Sequence, residues 1–251
     1  MRSKTQSMLL DVNREFYQTF GRAFAATRRR IQPGVRRVLG MLPAAGRWVD
    51  LGCGSGALAN EWAAGGRVGL YLGLDFSAAL LQEARLGLKT VPAGLEVRFE
   101  PVDLADPAWQ RSLGESGFDG ALAFAVLHHL PGYDLRRRVL EDVRGLLAPC
   151  GRLALSVWQF QHSPRLMARR LPWAMVGLNE ADVEPGDTLL DWRHALPGQA
   201  EQVGLRYVHL FDHSELAQLA ADSGFEMLDE FESDGEGGRL GLYQTWRKKE
   251  D

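Results

Sequence analysis

A chain of 251 residues is long enough for one large α/β domain, or for a domain with a substantial insertion. Its 45% hydrophobic and 24% charged residues describe a globular protein, and a net charge of -3 lacks the basic excess of a typical nucleic-acid binder. No apolar run reaches transmembrane length, the N-terminus lacks the apolar core of a secretion signal, and Cys53 and Cys150 are too few for a disulfide framework or a zinc site within this chain, so a cytoplasmic protein without its own metal is expected.

From about Ser7 to Phe24 the spacing predicts a helix. Phe16, Phe20 and Phe24 recur every four residues on one apolar face. Such a helix either packs on the core or forms a lid across a ligand mouth, with Tyr17 within reach. After Thr27-Arg28-Arg29-Arg30, Pro33-Gly34 breaks and restarts the helix. Val35, Val38, Leu39 and Leu42 then mark a short amphipathic helix. Residues 1–46 therefore form an N-terminal helical lid.

Trp48-Val49-Asp50-Leu51 reads as a buried strand, followed by Gly52-Cys53-Gly54-Ser55-Gly56 and a helix from Ala57 to about Ala64. Glycines at alternate positions let a ligand approach the backbone, and the helix start offers unpaired N–H groups. The spacing is G-x-G-x-G, and Asp50 stands two residues before the first glycine. A carboxylate there repels a pyrophosphate and suits a cationic ligand. S-adenosylmethionine, with its sulfonium and ammonium, is favoured over NAD. Cys53 is read as a small neutral filler.

Val68, Leu70, Leu72 and Leu74 alternate as a second strand closed by Asp75, where the two hydroxyls of an adenosine ribose are usually held. Ser77 is a suitable cap for the next helix. Leu95, Val97 and Phe99 form a third strand leading to Asp103, which is placed to accept an adenine amino group or simply to form a turn. Phe118 to Leu127 is a fourth, fully buried strand ending in His128-His129, at the sheet edge where α/β proteins bind ligands. A helix with Leu135, Val139, Leu140, Val143, Leu146 and Leu147 on one face ends at Ala148-Pro149-Cys150-Gly151, and Arg152 to Trp158 is the fifth strand. Residues 159–211 break this rhythm and form a substrate-side insertion rich in Arg, Trp and Pro. Asp212 and Glu215 have capping-box spacing before another helix. Strands Met227–Phe231 and Leu240–Trp246 follow around Ser233-Asp234-Gly235. The sum is an α/β fold in one domain, 1–251: a doubly wound, mostly parallel seven-stranded sheet with N-terminal helices and an insertion after strand 5.

The glycine turn, the three acids and the strand order together resemble the class I S-adenosylmethionine-dependent methyltransferases over roughly Val35 to Trp158, a Rossmann-like fold. A closer resemblance spans almost the whole chain. Phe-Ala-Ala-Thr-Arg at 24–28, Ala125 to Leu130, Ser156-Val157-Trp158, Leu171-Pro172-Trp173 and Arg206-Tyr207-Val208-His209 look like the tRNA wobble-uridine carboxymethyl methyltransferases, which esterify 5-carboxymethyluridine. The resemblance implies cofactor contacts at Asp50, Gly52, Gly54, Gly56, Asp75, Phe76, Asp103, Leu104 and Ala125. It implies catalytic roles for Arg28, His128, Arg206 and His209, tRNA as partner and, as in eukaryotic members, a small zinc-binding activator protein.

The chemistry suits those residue types. A carboxylate acceptor is ionised at pH 7 and needs no strong base. It needs a cationic clamp, which arginine supplies through two parallel hydrogen bonds. On this expectation Arg28 and Arg206 hold the acceptor and His128 or His209 completes the pocket. Alternatively, Arg206 and His209 pair with acids such as Asp212 to fix the insertion. Three other functions fit less of the chain: methylation of a small carboxylate, phenol or amine, a non-catalytic S-adenosylmethionine-binding regulatory module, and a nicotinamide-dependent oxidoreductase. Arginine clusters at Arg36-Arg37, Arg136-Arg137-Arg138 and Arg169-Arg170 read as solvated helix faces or as a local phosphate-binding patch.

Overall fold

The computed structural model describes residues 1–26, 30–194 and 201–250. Its organising feature is a seven-stranded sheet. The strands are β1 (Ala45–Leu51), β2 (Val68–Asp75), β3 (Leu95–Pro101), β4 (Phe118–Phe124), β5 (Leu147–Trp158), β9 (Phe225–Ser233) and β10 (Gly241–Lys248). Their order is β3-β2-β1-β4-β5-β10-β9. The first five run parallel, and β10 is antiparallel to both β5 and β9. A parallel strand is covered on both faces, which is why Val49, Leu51, Leu72, Ala121, Leu122 and Leu155 are all buried and the strand sequences read as near-continuous apolar runs.

Two layers of helix supply that cover. On one face α2 (Pro33–Met41), α3 (Ala57–Ala64) and α4 (Ala78–Gly87) lay Val38, Leu39, Trp62, Leu81 and Ala84 against Trp48, Tyr71 and Leu122. On the other, α5 (Trp109–Ser112), α6 (Tyr133–Leu146) and α8 (His213–Asp222) pack Trp109, Val139, Leu140, Val143, Leu216 and Leu219 against Leu72, Ala123, Leu155 and Trp246. Side chains alternate between the two faces along each strand, so Trp48 and Val49 feed opposite cores.

The insertion has more structure than its sequence indicated. After α7 (Pro164–Met167), strands β6 (Arg170–Leu171), β7 (Asp187–His194) and β8 (Gln202–His209) form a separate antiparallel sheet. Its sequence signal was masked because Asp187, Thr188, Asp191 and Arg206 are buried polar residues within the strands. The N-terminal helix α1 (Ser3–Ala26), longer than expected, lies on this small sheet, burying Leu9 against Trp173, Leu189 and Tyr207. Asn13 of α1 spans the Tyr207 backbone, accepting its N–H at 2.9 Å and donating to its carbonyl at 3.2 Å. Helix α1 and the insertion thus form one roof over the carboxyl edge of the main sheet. No helix among the described residues is long and apolar enough to cross a membrane.

Candidate functional site

At that carboxyl edge lies a cleft of about 300 Å³. Its floor is the turn after β1. Gly52, Gly54 and Gly56 have φ of +64°, +55° and +76°, a region where a Cβ is strained, and between them they do two different jobs. A Cβ on Gly52 would strike Val126 at 2.8 Å, and one on Gly56 would strike Ala84 at 2.9 Å, so these two permit close packing. A Cβ on Gly54 would meet nothing within 4 Å and would project into open space. Gly54 is therefore where the backbone is left bare for a ligand.

Asp75, at the end of β2, braces the turn. One carboxylate oxygen accepts the Gly54 N–H at 2.9 Å and the other accepts the Ser77 N–H at 2.8 Å. Burial raises its pKa, and those two N–H groups oppose the rise. Beside it, Phe76 exposes its ring at the mouth. Asp103, after β3, accepts from Arg14 of α1 at 2.7 Å and from the Ala105 N–H at 2.9 Å. Ala125, after β4, holds φ at +59°, its N–H shared between the Ser156 carbonyl at 3.0 Å and hydroxyl at 3.1 Å. A non-glycine residue kept in this region signals a locally over-determined backbone.

Gly52, Gly54, Asp75, Phe76, Asp103, Leu104 and Ala125 all line the cleft. Asp50 and Gly56 lie outside that lining. Asp50 is buried beneath the turn, where it accepts the Tyr71 hydroxyl. Burial and the neighbouring Asp75 charge lift its pKa to about 7 against the effect of that hydroxyl.

The expected catalytic set is more dispersed. Arg28 lies outside the described residues. The 3₁₀ turn Leu127–His129 after β4 carries both histidines, their ring centroids 4.4 Å apart. His128 is fully buried, its Nδ1 taking the Trp158 N–H at 3.4 Å, and it is His129 that reaches the cleft. The first histidine follows the buried strand into the core, and the turn delivers the second. Arg206 is also buried. Its guanidinium carbon lies 5.1 Å from the Phe16 ring centroid and 5.2 Å from that of Trp158, so it stands behind the wall that Trp158 forms.

His209 belongs to a different assembly, outside the cleft lining. Its Nδ1 meets Asp187 at 2.7 Å and its Nε2 meets Glu215 at 2.9 Å. Arg136 of α6, fully buried, donates to Glu184 at 2.9 Å, to Glu215 at 3.3 Å and to the Leu130 carbonyl at 3.1 Å. Tyr207 donates to Asp187 at 2.6 Å. This network ties the insertion to α6 and α8. The sequence alternative of a structural ion pair thus describes His209, with Asp187 and Glu215 as partners in place of Asp212. Burial alone would lower the His209 pKa, and its hydrogen bonds to Asp187 and Glu215 more than offset this, so the net shift is upward. The unfolded imidazole titrates at about 6.5. Its stabilising contribution is therefore complete below that pH and is lost as pH rises through the higher native value. Thermal unfolding across this range should show a decline for the native chain that is absent in His209→Gln.

The residues that sequence reasoning passed over are Asn13 and Arg14, which with Leu10 and Tyr17 line the cleft. Their spacing of i, i+3, i+4 and i+7 is one helical stripe. The stripe mixes an apolar, an amide, a cationic and a phenolic side chain, so hydrophobic periodicity did not reveal it.

Residues 23–230 match the family described as methyltransferase domain. A protein of Encephalitozoon cuniculi named as a methyltransferase is 30% identical over 216 residues, 85% of this chain and 87% of the relative. The tRNA (carboxymethyluridine(34)-5-O)-methyltransferase of Schizosaccharomyces pombe is 26% identical over 232 residues, covering 86% and 89%. Among solved structures, an S-adenosylmethionine-dependent methyltransferase of Methanosarcina mazei superposes with a TM-score of 0.61 at 22% identity, covering 88% of this chain and 99% of that one. An amino pentose methyltransferase of Micromonospora echinaspora gives 0.57 at 23% identity, covering 90% and 96%. The sheet order, the glycine turn and these matches agree: the chain is a methyltransferase and belongs to the methyltransferase domain family.

Proposed function

We propose that the chain transfers the methyl group of S-adenosylmethionine to a carboxylate on a modified wobble uridine of tRNA. The observation that carries the cofactor assignment is the bare backbone at Gly54 braced by Asp75, at the carboxyl ends of β1 and β2. In this reading Asp75 holds the ribose hydroxyls, Phe76 offers its exposed ring to the adenine, and Asp103 with Leu104 meets the adenine edge. Gly52, Gly54 and Ala125 border the methionine half. Bound there, S-adenosylmethionine supplies a methyl cation equivalent for in-line displacement. Transfer to an ionised acceptor then depends mostly on placement.

The acceptor assignment is supported by the Schizosaccharomyces pombe relative, which aligns over most of both chains. It is also supported by the buried Arg206 cation behind Trp158, whose field favours an anion in the cleft. The test offers labelled S-adenosylmethionine to tRNA with and without 5-carboxymethyluridine, and in parallel to a small-molecule extract. Label that depends on the carboxymethyl group is expected. Arg206→Lys should lower transfer by about tenfold, because lysine lacks the planar, aromatic-stacking guanidinium, while leaving cofactor affinity unchanged. A second reading, a small-molecule acceptor, is favoured by the largely apolar lining of the cleft and the net charge of -3. Label found only in the extract would establish it.

A further inference from the structure

Three elements meet at one imidazole on the cleft wall. The His129 and Tyr17 rings pack edge to face at 5.7 Å. Tyr17 Oη is 3.1 Å from His129 Nε2. His129 Nδ1 is 3.2 Å from the Tyr207 carbonyl oxygen on β8. A carbonyl oxygen only accepts, so Nδ1 carries hydrogen and the tautomer is set from outside the ring. In the neutral imidazole Nε2 must then accept, and it takes the Tyr17 hydrogen. Tyr17 in that state offers the cleft only oxygen lone pairs, which repel an anion. In the imidazolium Nε2–H donates to Tyr17, so the phenolic hydrogen no longer goes to that nitrogen and can be donated to an acceptor in the cleft that Tyr17 lines.

We propose that the Tyr17–His129 pair takes up one proton when an anionic acceptor enters the cleft, and that Tyr17 then donates its hydroxyl hydrogen to the acceptor carboxylate. The inference rests on the carboxylate reading of the acceptor. In these terms Tyr17 is a catalytic residue, and His129, acting through it, is a positioning residue.

The charged and titratable groups around the pair set its bias. Arg14 of α1 is engaged with Asp103, so these two charges largely cancel. Asp75, which lines the same cleft, favours the imidazolium. His128, with its ring centroid 4.4 Å from that of His129, and Arg206 behind Trp158 oppose it when charged. The Cys53 thiol is pushed up by burial and stays neutral. An incoming carboxylate adds a negative charge beside the pair and so favours the imidazolium. Its departure is built in as well. During transfer one carboxylate oxygen bonds to the methyl carbon while the carbon–sulfur bond breaks, its electron pair passing to sulfur. The acceptor charge and the sulfonium charge both vanish. The neutral ester no longer holds the extra proton, which returns to solvent as the pair relaxes.

The test is the pH profile of kcat/KM with tRNA carrying 5-carboxymethyluridine, for the native enzyme, Tyr17→Phe and His129→Asn. Asparagine retains a donor for the Tyr207 carbonyl but cannot take up a proton. Affinity for S-adenosylhomocysteine is measured alongside to show that each variant is folded and loaded. The native profile should fall about tenfold per pH unit on its alkaline limb, as a requirement for one bound proton dictates. Both variants should be flat there and about tenfold or more weaker on the acidic limb, chiefly in KM. Calorimetry in buffers of different ionisation enthalpy should show proton uptake when this tRNA binds the native S-adenosylhomocysteine complex, and none with His129→Asn. A flat native profile overturns the proposal. A profile that rises with pH overturns it too, making the pair a base for an acceptor that must lose a proton. Absence of turnover at every pH, in an enzyme that binds S-adenosylhomocysteine, removes the carboxylate reading and this proposal with it.

Discussion

Replacing Asp75 by alanine is expected to weaken S-adenosylmethionine binding about a hundredfold. Its carboxylate accepts two backbone N–H groups, from Gly54 at 2.9 Å and from Ser77 at 2.8 Å, and so fixes both the bare turn and the start of α4. In the proposed complex it also receives the ribose hydroxyls. A hydrogen bond to a charged group contributes about 1.5–3 kcal/mol, and about 1.4 kcal/mol is tenfold in affinity. Losing the ribose contacts alone therefore accounts for the hundredfold. Slackening of the Gly54 turn adds to it. Titration calorimetry with S-adenosylmethionine measures the effect directly. Asp75→Asn, which keeps one acceptor oxygen but adds an amide donor facing an N–H, should fall between the two. An affinity within about threefold of the native value for Asp75→Ala would mean that the nucleoside is held elsewhere.

The second large effect concerns stability. Arg136→Met should destabilise the chain by about 3–5 kcal/mol, since it removes the cation between Glu184 and Glu215, strips the Leu130 carbonyl of its guanidinium donor, and leaves Glu215 with His209 and Glu184 with the Tyr133 N–H as remaining partners. The guanidinium is fully buried, so solvent does not screen the loss. Urea unfolding should show a lower midpoint with an unchanged slope. Pairing Arg136→Met with Glu184→Gln should restore part of the loss, because the double variant leaves one fewer uncompensated charge. Cofactor affinity of the folded variant should be close to native, since neither Arg136 nor Glu184 lines the cleft. A stability change under about 1 kcal/mol would show that the network contributes little beyond what solvent could supply.

These two effects separate what holds the site from what holds the roof. Asp75 and the glycine turn sit on the parallel sheet, where the backbone is rigid on both faces. Arg136 and His209 sit where the insertion is joined to the sheet, and there the joint is ionic. The upward shift at His209 makes that joint weaken as pH rises, whereas the proposed proton uptake at His129 makes acceptor binding weaken in the same direction. His209→Gln removes the first dependence and His129→Asn the second, so the two can be measured independently.

Much of this protein was legible in one dimension. The alternation at Val68 to Leu74, the apolar run at Phe118 to Leu127, whose strand in fact stops at Phe124, and the glycine turn between Leu51 and Ala57 are local signals. Strand pairing follows from them because βαβ units leave few topologies open. Asp75 and Asp103 were also legible, since each closes or soon follows a strand and the carboxyl ends of parallel strands form one edge, whereas Ala125 was read as strand interior and came to the site only through the family resemblance. What escaped were relations between distant segments. Only packing decides that His129 and not His128 reaches the cleft, because the two rings sit side by side and His128 is the one covered on all sides. Only packing brings Asn13 and Arg14 of the first helix onto the site beside the anticipated Tyr17, through Asn13 bridging a backbone 194 residues away. Only packing assigns His209 to Asp187 and Glu215, a buried charge cluster whose members are polar residues at strand and helix positions where periodicity predicts nothing. Sequence by itself determined the fold, the acids at the carboxyl edge of the sheet and the glycine turn, because these depend on short-range geometry. The tertiary structure alone decided which charges are buried together and which side chains share the cleft, because those depend on how helix α1 and the small sheet close over the large one.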